Sequence, residues 1–127
     1  MEKLLCYTLF LLGVFYELNC FQTYVTLIPN GSNVTDPCNA DKTISGVGHL
    51  NSNGGGDRNQ FGLDFASNDR VWNSTLCNMD SDNDGITNGA ELGDVNCLWV
   101  ASDATTDQYL TYTGITHPGV DQNNVQC

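Results

Sequence analysis

Apolar residues are concentrated at the start of the chain and become sparse afterwards. The run from Leu4 to Tyr16 is almost entirely apolar, follows a short charged start, and leads to a polar exit that ends at Cys20. A run of about thirteen residues is shorter than the roughly twenty that span a bilayer, so it is typical of a secretory signal peptide. We therefore predict a signal peptide over residues 1–20 and a mature domain over residues 21–127. An uncleaved membrane anchor is the alternative interpretation.

Past residue 20 the apolar positions form short groups separated by polar turns. Phe21 to Ile28 mixes aromatic and β-branched residues and ends at Pro29-Asn30-Gly31, which predicts a strand followed by a turn. The glycine-rich stretch from Gly46 to Gly62 predicts a loop. Gln60 to Trp72 fits a short helix that packs aromatic residues inward, although alternation in its first half fits a strand equally well.

The second half of the chain predicts further short elements. Thr87 to Leu92 has room for one helical turn, which Gly93 would end. Leu98 to Val100 and Tyr109 to Tyr112 are typical of short strands. These elements indicate an α+β fold, a small irregular domain with short strands and one or two short helices. Four aromatic residues are expected to supply most of its core: Phe61, Phe65, Trp72 and Trp99.

The predicted mature domain is strongly acidic. Three cations remain after residue 20 against thirteen carboxylates, which gives a net charge of 3 − 13 = −10. This balance excludes nucleic acid as a partner and leaves the folded domain with substantial internal repulsion. A bound divalent cation would relieve part of that repulsion.

The twelve residues from Asp80 to Glu91 resemble a calcium-binding loop. Oxygen ligands recur at loop positions one, three, five, nine and twelve, and Gly85 lies where such a loop turns sharply. Calcium takes six to eight oxygen ligands, so the spacing predicts a calcium site. An acidic, solvated turn is the alternative. The predicted ligands are the side chains of Asp80, Asp82, Asp84, Asn88 and Glu91 and the backbone carbonyl of Ile86.

The loop differs from a complete EF-hand. Thr87 stands where that motif prefers an aliphatic residue, and Gly93 denies the loop a long exit helix. The loop is closer to the solitary Asp-rich loops of thrombospondin type-3 modules. We therefore expect calcium, as the one cofactor, to stabilise the structure and not to act as a switch.

Six cysteines are present, of which Cys6 and Cys20 fall in the predicted signal peptide. An even set of four in a secreted domain of this size predicts two disulfides, with three connectivities possible. Zinc is disfavoured because no two of them form a close C-x2-C pair. The four are Cys38, Cys77, Cys97 and Cys127.

Three triplets match the acceptor sequence for N-linked glycans, at Asn30, Asn33 and Asn73. The first two lie in a segment rich in Pro, Gly and Asn, which predicts an exposed loop. We expect at least one of the three to be occupied in a eukaryotic secretory pathway.

His49 and His117 are the two histidines, and both lie in glycine-flanked loops. They would provide a second metal site, for copper or zinc, if distant loops brought them together with Asp57 or Asp64. The alternative, which we favour, is that each imidazole bonds to backbone and fixes its loop. No pattern of a catalytic nucleophile accompanies them, so the sequence does not predict an enzyme.

The order and spacing of many motifs resemble those of temptins over nearly all of the mature chain. The matching segments are Phe21-Gln-Thr-Tyr24, Gly46-Val-Gly-His-Leu-Asn, Gly54 to Phe65, Trp72, Leu76-Cys77, the Asp80 loop, Glu91-Leu-Gly-Asp94, Cys97, Trp99 and Gly114-Ile-Thr-His-Pro-Gly119.

The resemblance to temptins implies a function as well as a fold. It implies two disulfides, Cys77 with Cys97 and Cys38 with Cys127. It also implies a secreted component of a water-borne pheromone mixture of the kind known from marine molluscs. The expected partners are other secreted proteins or a receptor, with no nucleic acid and no membrane after signal cleavage.

Two other functions are compatible with the residues. The first is a glycosylated subunit of an extracellular fibre or matrix that self-assembles by strand addition, through the N-terminal strand or through residues 108–113. The second is a copper- or zinc-binding enzyme that uses His49 and His117. Fold-level analogy alone does not choose among them.

Overall fold

The computed structural model describes residues 24–127, so the predicted signal peptide, residues 1–20, lies outside the described residues. Within the described part the fold is α+β, as predicted, but most of its regular structure is helical. In chain order the elements are a first 3-10 helix Tyr24–Leu27, β1 Thr35–Asp36, β2 Asn39–Thr43, α1 Gln60–Ser67, α2 Ser74–Asn78, α3 Asn88–Glu91 and a second 3-10 helix Ala104–Tyr109.

The two strands form one short antiparallel hairpin. Thr35 lies opposite Thr43 and Asp36 opposite Asn39, with an irregularity in the register between these two pairs. Isolated bridge pairing joins His49 to Arg58 across the glycine-rich loop. Both pairings lie on the N-terminal side of α1, so the sheet does not extend to the acidic loop.

Three of the predicted strands are wrong. Residues 24–27 form a 3-10 helix, and residues 98–100 and 109–112 form no strand. The physical reason is that side-chain oxygens accept hydrogen bonds from backbone N–H groups that would otherwise pair with a neighbouring strand. For example, the backbone N–H of Val100 donates to Thr106 Oγ1 at 3.0 Å, and that of Trp99 donates to the carboxylate of Asp94.

Helix α1 resolves the ambiguity between helix and strand after Gln60. Asn59 caps it, since its Oδ1 accepts the backbone N–H of Gly62 at 2.9 Å. Phe61 and Phe65 are buried one helical turn apart, whereas Leu63 is 42% exposed. Burial at i and i+4 is the helical period, so the aromatic residues lie on one face of α1.

The core lies between α1, α2 and the two flanking loops. Phe61, Phe65 and Trp72 are buried as predicted, whereas Trp99 is only partly buried and packs against the edge of this cluster. The core consists of Ile28, Val34, Ile44, Val47, Phe61, Phe65, Trp72, Leu76, Cys77 and Leu92. Burial of their apolar surface is the main favourable contribution to folding.

Two disulfides supplement this small core. Cys38 pairs with Cys127 and Cys77 pairs with Cys97, as the resemblance implies. The first joins the turn between β1 and β2 to the end of the chain, and the second joins α2 to the segment after α3. Among residues 24–127, no helix is long and apolar enough to cross a membrane.

Candidate metal centre

A backbone hydrogen bond joins the two ends of the acidic loop. It connects α2 to α3, and the backbone N–H of Asn88 donates to the carbonyl of Met79 at 2.7 Å. Thr87 caps α3 through its Oγ1, and Gly93, with a φ of +80°, follows the helix. The short helix and its ending were therefore predicted correctly, and they return the chain to the core immediately after Glu91.

Gly89 allows α3 to approach α2 closely. A Cβ atom at this position would collide with the Sγ of Cys77, and it would lie 2.8 Å from the carbonyl oxygen of Asp94. The Cys77–Cys97 disulfide thus passes directly against the helix that carries Glu91. This packing fixes the second half of the loop relative to α2.

Within the loop, backbone N–H groups hold one oxygen of each aspartate. The N–H of Gly85 donates to Asp80 Oδ2 at 3.0 Å, and the N–H of Ile86 donates to Asp84 Oδ1 at 2.8 Å. Asp82 Oδ1 accepts the N–H of Asp84 at 3.3 Å. The positive φ of Gly85, +93°, supplies the sharp turn that these bonds require.

Glu91 is held in a similar way by the C-terminal segment. Its Oε1 accepts a hydrogen bond from Thr116 Oγ1 at 3.0 Å, and its backbone carbonyl accepts the N–H of Thr116. The side chain is almost completely buried, with 1% of its surface exposed. Residues far apart in the sequence therefore position the last acid of the loop.

The second oxygen of each carboxylate is buried without a hydrogen-bond partner among the described residues. These oxygens are Asp80 Oδ1, Asp82 Oδ2, Asp84 Oδ2 and Glu91 Oε2. Carboxylate oxygens of the three aspartates lie within 4.8 Å of one another. Buried polar atoms are almost always paired in native proteins, so four unpaired oxygens in one loop fit a site for a positively charged partner.

The local electrostatics indicate the same partner. Burial, followed by the charge of Asp84, raises the pKa of Asp82 to about 6. Burial, followed by the charge of Asp82, raises the pKa of Glu91 to about 8. Without a cation, the loop therefore resists carrying its full negative charge at neutral pH.

The oxygen-only set of donors fits calcium better than a transition metal. Ca²⁺ binds oxygens at about 2.3–2.6 Å, so ligands on opposite sides of the ion lie up to about 5 Å apart, in keeping with the spacing of the aspartates. The carbonyl of Ile86 accepts no hydrogen bond from residues 24–127 and remains available as a further ligand. The structure therefore brings Asp80, Asp82 and Asp84 within metal-binding distance of one another, whereas Glu91 and the Ile86 carbonyl stay predicted ligands.

Asn88, the sixth predicted ligand, has a different position. Its Nδ2 donates to the carbonyl of Leu76 and to Ser81 Oγ, both at 2.9 Å, and its Oδ1 accepts the N–H of Ser81 at 3.3 Å. The side chain is completely buried, and these bonds join the loop to α2. The ligand role of Asn88 stays a prediction.

Asp94 is an important residue of this region that sequence reasoning did not identify. Its carboxylate is buried and accepts hydrogen bonds from Trp72 Nε1 at 2.9 Å and from the backbone N–H groups of Leu98 and Trp99. Unlike the acids of the loop, it is fully paired inside the protein. The sequence offers no signal for this role, because only the fold brings Trp72 beside it.

His49 and His117 line the same cleft of about 430 Å³, together with Asp36. His117 Nδ1 accepts the backbone N–H of Gly119 at 3.0 Å, and His49 Nδ1 lies 3.3 Å from the carbonyl oxygen of Gly56. Neither histidine belongs to a cluster of three metal-binding side chains in the described chain, where the aspartate group of the loop is the one such cluster. The contacts favour the interpretation that each imidazole fixes its own loop.

The three predicted glycosylation sites differ in their surroundings. Asn30 is buried, and its Nδ2 donates to the carbonyls of Leu92 and Thr111 at 2.9 and 2.8 Å. Asn33 and Asn73 are exposed. The same nitrogen that would carry a glycan holds two segments together at Asn30, so the fold disfavours a glycan at this site.

Residues 95–112, which we call the exposed loop unit, follow the acidic loop and α3. Trp99 Nε1 donates to Asp107 Oδ1 at 2.9 Å, and Tyr112 Oη donates to the carbonyl of Asp107 at 3.3 Å. These bonds draw its two halves together. Several of its apolar side chains face solvent, namely Val95, Leu98, Val100, Tyr109 and Tyr112.

Comparisons with known proteins agree with one family over most of the chain. A family model described as Temptin C-terminal matches residues 18–120. Temptin of Aplysia californica is 43% identical over 109 residues, which cover 86% of this chain and 84% of that protein. No solved structure gives a significant match.

Proposed function

Because the chain belongs to the temptin family, we propose that it is a secreted, non-enzymatic protein that binds one structural calcium ion and acts through contacts with other proteins. The four buried and unpaired carboxylate oxygens of the Asp80–Glu91 loop are the observation that supports the calcium site most directly. The ion would replace the missing partners of all four oxygens at once.

The proposed site has the character of a fixed structural element. Helix α3 has only four residues, and the Cys77–Cys97 disulfide packs against it. A loop held in this way has little freedom to open on losing its ion, unlike the paired helices of a calcium sensor. Extracellular modules bind calcium with dissociation constants of about 10⁻⁴–10⁻³ M, and we expect this range here.

Thermal unfolding with and without calcium tests the site. At a calcium concentration about 100 times the dissociation constant, binding stabilises the folded state by about 2.7 kcal/mol, which raises the melting temperature by on the order of 10 °C. Asp80→Ala and Glu91→Gln should each remove most of this increase.

Asp41→Asn is the matched control, because Asp41 is an exposed acid on β2, outside the loop. It should keep the full response to calcium. Identical melting curves for the wild type in chelator and in about 10–100 mM calcium, which is about 100 times the expected dissociation constant, would show that the loop is only an acidic turn.

We propose that protein contacts are made by the exposed loop unit. It exposes five large apolar side chains within eighteen residues, whereas the six other exposed large apolar side chains are spread over residues 24–86. The partners would be other secreted proteins or a receptor, and the role in a pheromone mixture is the one that the resemblance to temptins implies. Aromatic residues such as Tyr112 are typical of the energetically important positions in interfaces.

Pull-down from the native secretion, followed by mass spectrometry, tests this surface. Val100→Ser and Tyr112→Ser should each reduce the captured partner several-fold, whereas Leu63→Ser on α1, equally apolar and exposed, should not. If all three variants capture the partner equally, the exposed loop unit is not the binding surface. Light scattering of the purified protein identifies the fibre alternative, because large particles that grow with protein concentration would indicate self-assembly.

A further inference from the structure

A second cleft, of about 270 Å³, lies on the N-terminal side of the domain. It is bounded by the first 3-10 helix, the glycine-rich loop and α1. Buried apolar residues form its inner wall, namely Ile28, Val47, Phe61 and Phe65. No residue of the Asp80–Glu91 loop lines it, so it is separate from the proposed calcium site.

Glycines keep this cleft open. Gly48 and Gly62 both line it, and their backbones are in such close contact that a Cβ at residue 62 would collide with the carbonyl of Gly48. Gly54 and Gly56 also line the cleft, and neither has a side chain that could fill it. The opening is therefore formed by backbone packing and does not depend on the rotamer of one flexible side chain.

The charged residues that line this cleft are positive, whereas the net charge of the molecule is negative. Residues 24–127 contain three cations and thirteen carboxylates, yet Arg58 and Arg70 line the cleft and none of the carboxylates does. Both arginines are exposed, so they lie toward its solvent side. Two of the three cations of residues 24–127 thus lie at one apolar opening.

Both guanidinium groups are available to a ligand. Neither has a hydrogen-bond or ion-pair partner among the described residues. The guanidinium of Arg70 lies over the ring of Tyr24, 6.0 Å from its centroid, and Arg58 is held by backbone pairing with His49. Unpaired arginines beside an apolar cavity are suited to bind the head of an amphiphilic anion.

We propose that this cleft binds a small carboxylate with an apolar body. The apolar body would lie against Phe61 and Phe65, and the carboxylate would accept hydrogen bonds from Arg58 and Arg70. Cleft volume restricts the ligand to a small molecule, since most sites for drug-sized ligands occupy about 300–1,000 Å³. Negative potential elsewhere on the surface repels such an anion, so binding would concentrate at this one basic opening.

Titration calorimetry with three probes of equal chain length tests the proposal on the secreted protein in saturating calcium. Octanoate should bind at least about tenfold more tightly than octan-1-ol, because only the carboxylate pairs with the arginines. Octylammonium should show no binding. Equal affinity for octanoate and octanol, or no binding of octanoate at millimolar concentration, would overturn the proposal.

Single substitutions locate the binding. Arg58→Gln and Arg70→Gln should each weaken octanoate about tenfold and leave the affinity for octanol unchanged. Lys42→Gln removes the third cation, which lies on β2 outside the cleft, and should change neither affinity. An equal loss with Lys42→Gln would show attraction by net charge alone and would contradict a defined site.

This test is independent of the calcium site. Asp80→Ala in a protein that remains folded should leave octanoate binding unchanged, because no residue of the loop lines the cleft. Failure of the carboxylate site would therefore leave the proposed calcium site unaffected.

Discussion

Asn30 joins two distant segments through one side-chain amide. Its Nδ2 donates to the carbonyl of Leu92, which follows the acidic loop, and to that of Thr111 in the exposed loop unit. Each hydrogen bond of this kind contributes about 1 kcal/mol, and a buried carbonyl that loses its donor costs more. Acceptor triplets for glycans are thus an ambiguous signal, since the same asparagine also serves as a buried structural donor.

We expect N-glycans at Asn33 and Asn73 but not at Asn30. Asn33 and Asn73 are exposed, whereas a sugar on Asn30 would replace one of the two Nδ2 hydrogens that are donated to Leu92 and Thr111 inside the fold. Glycopeptide mapping of the secreted protein, with enzymatic removal of glycans in heavy-oxygen water, measures occupancy at each site separately. Substantial occupancy at Asn30 in folded protein would contradict the described packing.

His117 gives the fold a dependence on pH. Burial lowers the pKa of its imidazole to about 4, and the charge of Asp36 opposes this shift. The unfolded chain, with a pKa near 6.5, binds the proton first as the pH falls. Stability is therefore lost between about pH 6.5 and pH 4, by roughly 3 kcal/mol in total.

His117→Asn provides the comparison for this pH dependence, because an asparagine Oδ1 can accept the Gly119 N–H in place of Nδ1. Chemical denaturation from pH 7.5 to pH 4 measures the free energy of unfolding of both proteins. Between pH 6.5 and pH 4 the wild type should lose roughly 3 kcal/mol more than the variant. Parallel curves would show that His117 is already charged or exposed in the folded state.

The sequence predicts the helices and strands that depend on local signals. It misses the conformation of segments that depend on distant partners. Thr87 and Gly93 mark the two ends of α3, and the spacing of Phe61 and Phe65 allows α1. Residues 98–100 have the composition of a strand. Asp94 takes the N–H groups of Leu98 and Trp99 instead, and only the folded chain brings that carboxylate beside them.

The candidate sites also contain some features that depend on local sequence and others that depend on distant partners. Spacing predicts the three aspartates of the acidic loop, because the backbone bonds that hold them arise within the loop itself, whereas Glu91 is also held by the distant Thr116. Spacing also places Asn88 among the ligands, although its amide bonds to Leu76 and Ser81, and this arrangement depends on the packing of α2 against α3. The basic cleft could not be predicted, since Tyr24, Arg58 and Arg70 meet only after folding.

The two disulfides should differ in their effect on calcium binding. Cys77–Cys97 spans 20 residues around the loop and packs against α3, whereas Cys38–Cys127 spans 89 residues and joins the turn between β1 and β2 to the end of the chain. In the chain-entropy model, removing the shorter one costs about 3 kcal/mol and the longer one more than 4 kcal/mol.

Double variants separate these effects. Calcium titration of Cys77→Ala/Cys97→Ala should show affinity reduced several-fold, because the loop loses the constraint on α3. Cys38→Ala/Cys127→Ala serves as the control and should bind calcium as the wild type does, despite its larger loss of stability. The reverse order of affinities would mean that the bracketing disulfide does not shape the loop.

Taken as a whole, the molecule combines a net charge of −10 in its predicted mature part with a cluster of buried carboxylates. Self-repulsion at this charge destabilises the compact state, and mobile ions screen it over a Debye length of about 10 Å at 0.1 M salt. In chelator, the melting temperature should therefore rise between 0.05 and 0.5 M sodium chloride. With saturating calcium the rise should be smaller, since the ion already neutralises part of the loop.

A triple variant separates loop repulsion from that of the general surface. Asp80→Asn, Asp82→Asn and Asp84→Asn together keep an oxygen for each backbone N–H that the aspartates accept, while they remove three charges. In chelator this variant should melt above the wild type and respond less to salt, whereas calcium should no longer raise its melting temperature. If it melts below the wild type in chelator, the repulsion of these three carboxylates is not what the cation offsets, and the loop must be stabilised by some other contact.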